Sequence, residues 1–343
     1  MKEDQQTKEN GQFPVIKVNG LKTYFRTENG LAKAVDDVSF SVFEGETLGL
    51  VGESGCGKSV TVMSILGLLP KPPAEIAGGT IYFEGKDILS ATEDELRRIR
   101  GKKISMIFQE PMTSLNPVQT CGSQVAEVLQ LHLKMTKSEA KTASIDLLRK
   151  VGIPLPEQRF NEYPHQLSGG MRQRVMIAMA LACRPKVLLA DEPTTALDVT
   201  VQAQILKLIK ELQKDIGMSM VLITHDLGVI AETCDRVAVM YASKIVETAS
   251  VKMLFQSPRH PYTIGLLRAI PKMNENADRL YTIEGTVPQP TNYPKGCHFC
   301  TRCDYADSKC WTEKPPLETV TEGHQVACWK TKEINAFLKM ATT

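Results

Sequence analysis

Residues 48–59 read Leu-Gly-Leu-Val-Gly-Glu-Ser-Gly-Cys-Gly-Lys-Ser. Leu48–Val51 is an apolar run short enough to be a buried strand. Gly52, Glu53, Ser54, Gly55, Cys56, Gly57, Lys58 and Ser59 then fit G-x-x-x-x-G-K-[ST], and Val60 continues into helical spacing. Strand, glycine loop and helix in that order make a phosphate cradle. The glycines let the backbone curl so that successive N–H groups face phosphate oxygens. A helix starting near Lys58 adds the positive end of its dipole. Lys58 is suited to reach the β- and γ-phosphates, and the Ser59 hydroxyl to ligate Mg²⁺. The expectation is an α/β fold built around this loop, with ATP and Mg²⁺ as ligands.

Downstream, Val187-Leu188-Leu189-Ala190-Asp191-Glu192 is an apolar strand ending in two acids. Asp191 can hold Mg²⁺ through water, which leaves Glu192 to orient or deprotonate an attacking water. Further strands are predicted at 15–18, 24–26, 35–43, 79–83, 104–109, 219–224 and 236–241. Helices are predicted at 58–69, 124–133, 138–151, 168–183 and 201–216. The Pro70, Pro72, Pro73 cluster is expected to stop the first helix. Strands alternating with helices imply a mainly parallel sheet covered on both faces. Segment 112–183 breaks the alternation with helix after helix, as an inserted helical subdomain would. After residue 256 proline, cysteine and turn residues dominate. The expected organisation is a flexible tail at 1–12, an ATPase domain at 13–255 and a C-terminal extension at 256–343.

Net charge is +2, from 41 basic and 39 acidic residues, so nothing demands a nucleic-acid partner. The N-terminal MKEDQQTKEN lacks the apolar core of a signal peptide. No apolar run reaches the roughly 18 residues that span a bilayer. Any work at a membrane is expected through docking on other subunits.

Leu167-Ser168-Gly169-Gly170-Met171 opens a helix with Ser168 as its N-cap, a second anion cradle. One nucleotide does not need two cradles from one chain, whereas a head-to-tail dimer does. This stretch resembles the signature of the ATP-binding-cassette (ABC) family, and the rest of that family's order is present. Gln109 stands in the Q-loop place, and Thr195-Ala196-Leu197-Asp198 resembles the D-loop. His225 stands where the switch histidine contacts the γ-phosphate. Phe25 stands where an aromatic ring stacks on adenine, with Tyr24 the substitute one register away. The resemblance covers about 15–255. It implies a P-loop NTPase cassette with an antiparallel β subdomain and the helical insertion. It places Glu192, His225, Lys58 and Gln109 at the catalytic centre, adds Gln109 to Ser59 and Asp191 at Mg²⁺, and brings Ser168, Gly169, Gly170 and Asp198 to the nucleotide. Met171 and Val60 depart from the wider family's usual Gln and Thr.

Residues 109–117, the Met171 that follows Gly170, and His260-Pro261-Tyr262-Thr263 resemble the ATPases of dipeptide, oligopeptide and nickel importers. That branch implies a second, similar ATPase, two membrane permease subunits and a solute-binding protein. It also implies a peripheral position on the cytoplasmic face of the cell membrane. The alternatives are an importer ATPase for nickel or another small solute, a soluble, non-transport ABC ATPase, and a metal- or redox-sensing module with a vestigial ATP site. Near the end, five cysteines fall as Cys297-x2-Cys300-x2-Cys303-x6-Cys310-x17-Cys328. Thiolates suit an iron–sulfur cluster or Zn²⁺, and free thiols or partial disulfides are the other readings. The resemblance to dipeptide-type ATPases of that branch implies a [4Fe–4S] cluster held by the corresponding Cys297, Cys303, Cys310 and Cys328. Cys300, where a histidine is common, is a possible substitute ligand.

Overall fold

The protein is described by a computed structural model over residues 13–195, 197–270 and 281–334. The tail expected at 1–12 lies outside the described residues. The chain divides into two compact units.

One unit holds Ser90–Ile223 together with Val42–Thr47 and the stretch ending at Val15. Its strands Ser219–Thr224, Val187–Asp191 and Ile104–Ile107 lie side by side and parallel, with Val187 opposite both Ile104 and Ser219. Every residue of Val187–Asp191 is buried. This is why it reads as a continuous apolar run rather than an alternation. Between Pro111 and Leu181 the described elements are all helical, chiefly Cys121–Leu133, Lys137–Lys150 and Gly169–Leu181. Their starts are chemically marked. The Thr120 hydroxyl caps one, and Thr136 with Glu139 forms a full capping box on the next. The Val199–Ile216 helix buries Ile205, Ile209 and Gln213, a stripe at four-residue spacing. The buried Gln213 amide is satisfied by accepting from Thr47 Oγ1 at 3.1 Å and donating to the Gly45 carbonyl at 3.2 Å.

The other unit holds Ile16–Ser41, Leu48–Leu89 and the chain from Thr224 onward. An antiparallel sheet runs in the order Gly30–Val42, Ile16–Thr27, Ala74–Phe83, Lys86–Asp87. Beside it, Thr47–Val51 pairs in parallel with Arg236–Tyr241, Leu48 facing Arg236. Arg236–Tyr241 folds back on Lys244–Ser250 through Ala242 and Ser243, both at positive φ (43° and 69°). Such a two-residue turn matches the twist of the flanking strands. His324–Val326 and Glu318–Thr321 extend the sheet outward from Lys244–Ser250. A core of Tyr241, Tyr262, Phe299, Leu254 and Ile230 joins these strands to the helices Leu227–Thr233, Val251–Gln256 and Pro261–Arg268.

Several boundaries differ from expectation. The first helix is Lys58–Leu66, ended by Gly67 at φ 60° and not by the prolines. The strand predicted to Gln109 ends at Ile107. Strands predicted at 15–18 and 24–26 are one, Ile16–Thr27. The C-terminal region, read as loosely patterned, packs Tyr262 and Phe299 into the core of its unit and adds a strand pair at the edge of the sheet.

The expected iron–sulfur cluster is corrected. Among the described residues no group of three or more His, Cys, Asp or Glu is placed to hold a metal ion. Cys297, Cys300, Cys303, Cys310 and Cys328 are free cysteines. They line a cavity of only about 10 Å³, walled also by Phe299 and Trp329, which is room for a single water at most. Burial pushes the Cys297 and Cys303 thiols up to about 12 and Cys328 to about 11. The residues present do not fit the [4Fe–4S] group, with or without Cys300.

Candidate nucleotide site

The unit that carries the glycine loop builds it between two fixed ends. The strand ending at Val51 delivers Gly52, where a Cβ would collide with the Met240 carbonyl oxygen. Gly57, at φ 105°, is the N-cap of the Lys58–Leu66 helix, and a Cβ there would meet the Ala34 carbonyl. Only glycine allows this approach. Lys58 is buried, and its ammonium donates to the carbonyls of Gly52 at 2.7 Å and Glu53 at 3.0 Å. The lysine therefore closes the loop on itself. Cys56 is buried, and burial raises its thiol pKa against the opposing pull of Lys58. Ser54 and Gly55 are solvent-accessible at the loop's tip, with Ser59 and Val60 part-buried on the first helical turn.

In the same unit Phe25 is half-buried on the Ile16–Thr27 strand opposite Ala74. Tyr24 points to the other face of that strand, where its hydroxyl donates to Asp36 Oδ1 at 2.8 Å. Burial and the Asp36 carboxylate raise its pKa further. Tyr24 is therefore committed to the fold, which favours Phe25 as the free ring. His225 is exposed immediately after the Ser219–Thr224 strand. Asp226 next to it caps the following helix, accepting from Gly228 N at 2.7 Å.

The other unit carries the acids. Asp191 is buried at the end of its strand, beside Ile223. Glu192 follows at φ 46°, with its N–H donating to the Ile223 carbonyl at 3.0 Å. Its Oε2 accepts from the Thr195 hydroxyl at 2.8 Å and from Gln109 Nε2 at 3.4 Å. The structure thus brings Gln109, Glu192 and Thr195 together; the sequence marked Thr195 only as the first residue of the D-loop resemblance, with no role of its own. Ser168 caps the Gly169–Leu181 helix as expected, accepting from Met171 N at 3.3 Å. Gly169 and Gly170 begin that helix, next to Leu197 and Val201 respectively. Asp198 is the N-cap of Val199–Ile216, accepting from Val201 N at 2.9 Å. The D-loop residue Ala196 lies outside the described residues, as does the side chain of Met112.

Two contacts to the glycine loop come from far along the chain. The Glu53 N–H donates to Tyr262 Oη at 2.9 Å, and the Glu53 carboxylate pairs with Arg302 Nη1 at 3.0 Å. The sequence signalled Tyr262 only as part of a branch motif, and it signalled Arg302 not at all.

Comparisons with known proteins agree with this chemistry. Residues 35–195 match the ABC transporter family, and residues 246–310 match the C-terminal region of oligopeptide/dipeptide transporters. The oligopeptide transport ATP-binding protein AppD of Bacillus subtilis (strain 168) is 53% identical over 94% of this chain and 98% of its own length. OppD of the same organism is 52% identical over 92% of this chain and 88% of its own. The dimeric ATP-binding cassette MJ0796, in a post-hydrolysis state bound to ADP and Pi, superposes with a TM-score of 0.62. It is 29% identical and covers 69% of this chain and 98% of its own. The chain therefore belongs to the ABC transporter ATPases, in the branch of the oligopeptide and dipeptide transport ATP-binding proteins.

Proposed function

We propose that this chain is the ATP-hydrolysing motor of an importer for di- or oligopeptides, driving alternating access in two membrane permease subunits. The observation that carries this reading is the whole-length likeness to oligopeptide transport ATP-binding proteins, at 53% identity over 98% of one of them. Among the described residues no helix is long and apolar enough to cross a membrane. The chain is accordingly read as a peripheral subunit on the cytoplasmic face, docked on the permeases and paired with a second, similar ATPase. A solute-binding protein would deliver the peptide, so the peptide itself need not touch this chain. Residues 13–255 are read as the cassette, with a helical subdomain at about 112–183, and 256–343 as the extension.

In the reaction, water attacks the γ-phosphate in line and ADP leaves. Lys58 and the loop amides from Gly52 to Ser59 hold the phosphates and stabilise the charge that develops there. Ser59, Asp191 and Gln109 would hold Mg²⁺, which supplies further charge neutralisation on the β- and γ-oxygens. Glu192 orients the water and takes its proton. Its bonds to Thr195 and Gln109 support this reading, because they hold the carboxylate in a fixed position at the end of its strand. His225 fixes the γ-phosphate geometry, and Phe25 stacks on adenine. Ser168, Gly169 and Gly170, with Asp198 nearby in sequence order, serve the nucleotide of the neighbouring ATPase.

The test is purification of the chain from native membranes with its bound subunits, then reconstitution into liposomes. ATP-dependent uptake of labelled di- and oligopeptides, lost with Glu192→Gln, is the expected result. Uptake of Ni²⁺ in place of peptides would redirect the substrate assignment. Recovery of an active ATPase with no membrane subunit would point to a soluble ABC ATPase instead.

A further inference from the structure

The glycine loop is gripped at one residue by the C-terminal region. Glu53 is the first variable position of the loop, and each of its polar groups is engaged. Its carbonyl accepts from Lys58 Nζ at 3.0 Å, as other loops of this kind would allow. Its N–H and its carboxylate, however, are taken by residues more than 200 positions away, Tyr262 at 2.9 Å and Arg302 at 3.1 and 3.0 Å.

Both partners are built to stay where they are. Arg302 has only 5% of its side chain exposed. Its remaining N–H groups donate to the Ile283 carbonyl at 3.0 Å and the Glu284 carbonyl at 2.9 Å, and its guanidinium lies 5.8 Å from the Tyr241 ring centre. Tyr262 is fully buried, with ring centres 4.6 Å from Tyr241 and 5.5 Å from Phe299. Its helix starts at His260, whose Nδ1 accepts from Tyr262 N at 3.1 Å. A third brace enters from the turn at Ala242 and Ser243. Ser243 N donates to the Cys56 carbonyl at 3.0 Å, and His298 bonds the Ala242 carbonyl at 2.7 Å.

Three glycines make the loop costly to order, so fixing it before ligand arrives lowers what binding must supply. Charge adds a second reason. A carboxylate at the mouth of an anion cradle repels a triphosphate unless a cation holds it. We propose that Tyr262 and Arg302 are positioning residues for ATP: they preorganise the phosphate loop through Glu53, and Arg302 also neutralises the Glu53 carboxylate. This rests on the reading of Gly52–Ser59 as the phosphate site.

The experiment measures equilibrium binding of a fluorescent ATP analogue, and KM and kcat for ATP, on the full chain with its native subunits. Tyr262→Phe keeps the ring and removes one acceptor, and should weaken ATP binding about three- to tenfold, the worth of one hydrogen bond. Arg302→Gln should raise KM by about tenfold or more with a smaller change in kcat, because it leaves the Glu53 charge facing the triphosphate. Adding Glu53→Gln to Arg302→Gln should restore most of the affinity. That rescue would not follow if Arg302 only held the fold together. Unchanged ATP affinity in both single variants, or a defect in Arg302→Gln that Glu53→Gln does not relieve, would overturn the proposal. Lys58→Ala serves as the separate control: if it too leaves ATP binding intact, the phosphate-site reading fails rather than this one.

Discussion

Glu192 adopts φ 46°, a left-handed backbone that costs a residue with a side chain about 1–2 kcal/mol. The fold accepts that cost where the N–H reaches the Ile223 carbonyl and the carboxylate meets Thr195 and Gln109. Strain retained under such cross-bracing fits a residue kept for chemistry. Glu192→Gln should bind ATP with near-normal affinity yet hydrolyse it about 10²–10⁴-fold more slowly, as a single-turnover phosphate-release assay would read. Turnover within a few-fold of the parent would remove Glu192 from that role. Gly52→Ala tests the other array. Its methyl would collide with the Met240 carbonyl, so ATP affinity should fall sharply, with backbone movement as the only relief. Asp191 and Glu192 were legible in sequence because an apolar strand ends at them. The conformation of Glu192 was not, since nothing in a glutamate announces a positive φ. Nor was the bond between Glu53 and Tyr262, which joins positions 209 residues apart without any local pattern.

The helices that sequence periodicity located best are those with chemical caps, and the elements it missed are short. Ser168, Thr120 and Thr136 each cap a helix that was foreseen within a few residues. Glu318–Thr321 and His324–Val326 are four and three residues long, too brief for a period to show. Their attachment depends on one buried group. Glu247, with no exposed surface, accepts from His324 Nε2 at 2.7 Å, Arg259 N at 2.7 Å and His260 N at 2.9 Å. Glu247→Leu would strand all three partners, at a cost on the order of 3–5 kcal/mol, measurable by urea denaturation. A loss under 1 kcal/mol would mean that packing alone holds the strand pair. The same region titrates. Burial pushes His260 and His298 down to about 4. Both are neutral in the folded chain at pH 7, while the unfolded chain takes up protons below about pH 6.5. Stability is therefore full above about pH 6.5 and should fall as pH drops toward 4, by up to about 1.4 kcal/mol per pH unit for each histidine. Denaturation midpoints between pH 7.5 and 4.5 check the sign. A rise in stability on acidification through this range would contradict it, and His298→Gln should flatten the slope.

At the scale of the whole chain, the motifs were legible because their order is fixed by the topology: loop, acids and histidine each follow a parallel strand. The C-terminal region was not, because its composition of proline, cysteine and turn residues suggested little core. Its stability comes from side chains, such as Phe299 and Tyr262, that pack against strands elsewhere in the sequence. Gly52–Ser59 and the Ser168-capped helix are both proposed to serve as anion cradles, with a consequence for assembly. Each cradle offers backbone N–H groups at a helix start, and a triphosphate engaged by one chain's loop still presents γ-oxygens for a second chain's helix. ATP should then act as the joint between two cassettes, and hydrolysis should release it. With Glu192→Gln blocking hydrolysis, the chain alone or with the ATPase that co-purifies with it should double in mass on adding ATP, and not on adding ADP, by analytical ultracentrifugation. Gly169→Asp places a carboxylate at the helix start, where like charge opposes phosphate. It should abolish the ATP-dependent dimer while leaving nucleotide binding by the single chain intact. Failure of ATP to join two cassettes, with the co-purifying ATPase supplied, would leave the second cradle without a ligand and the motor without its power stroke.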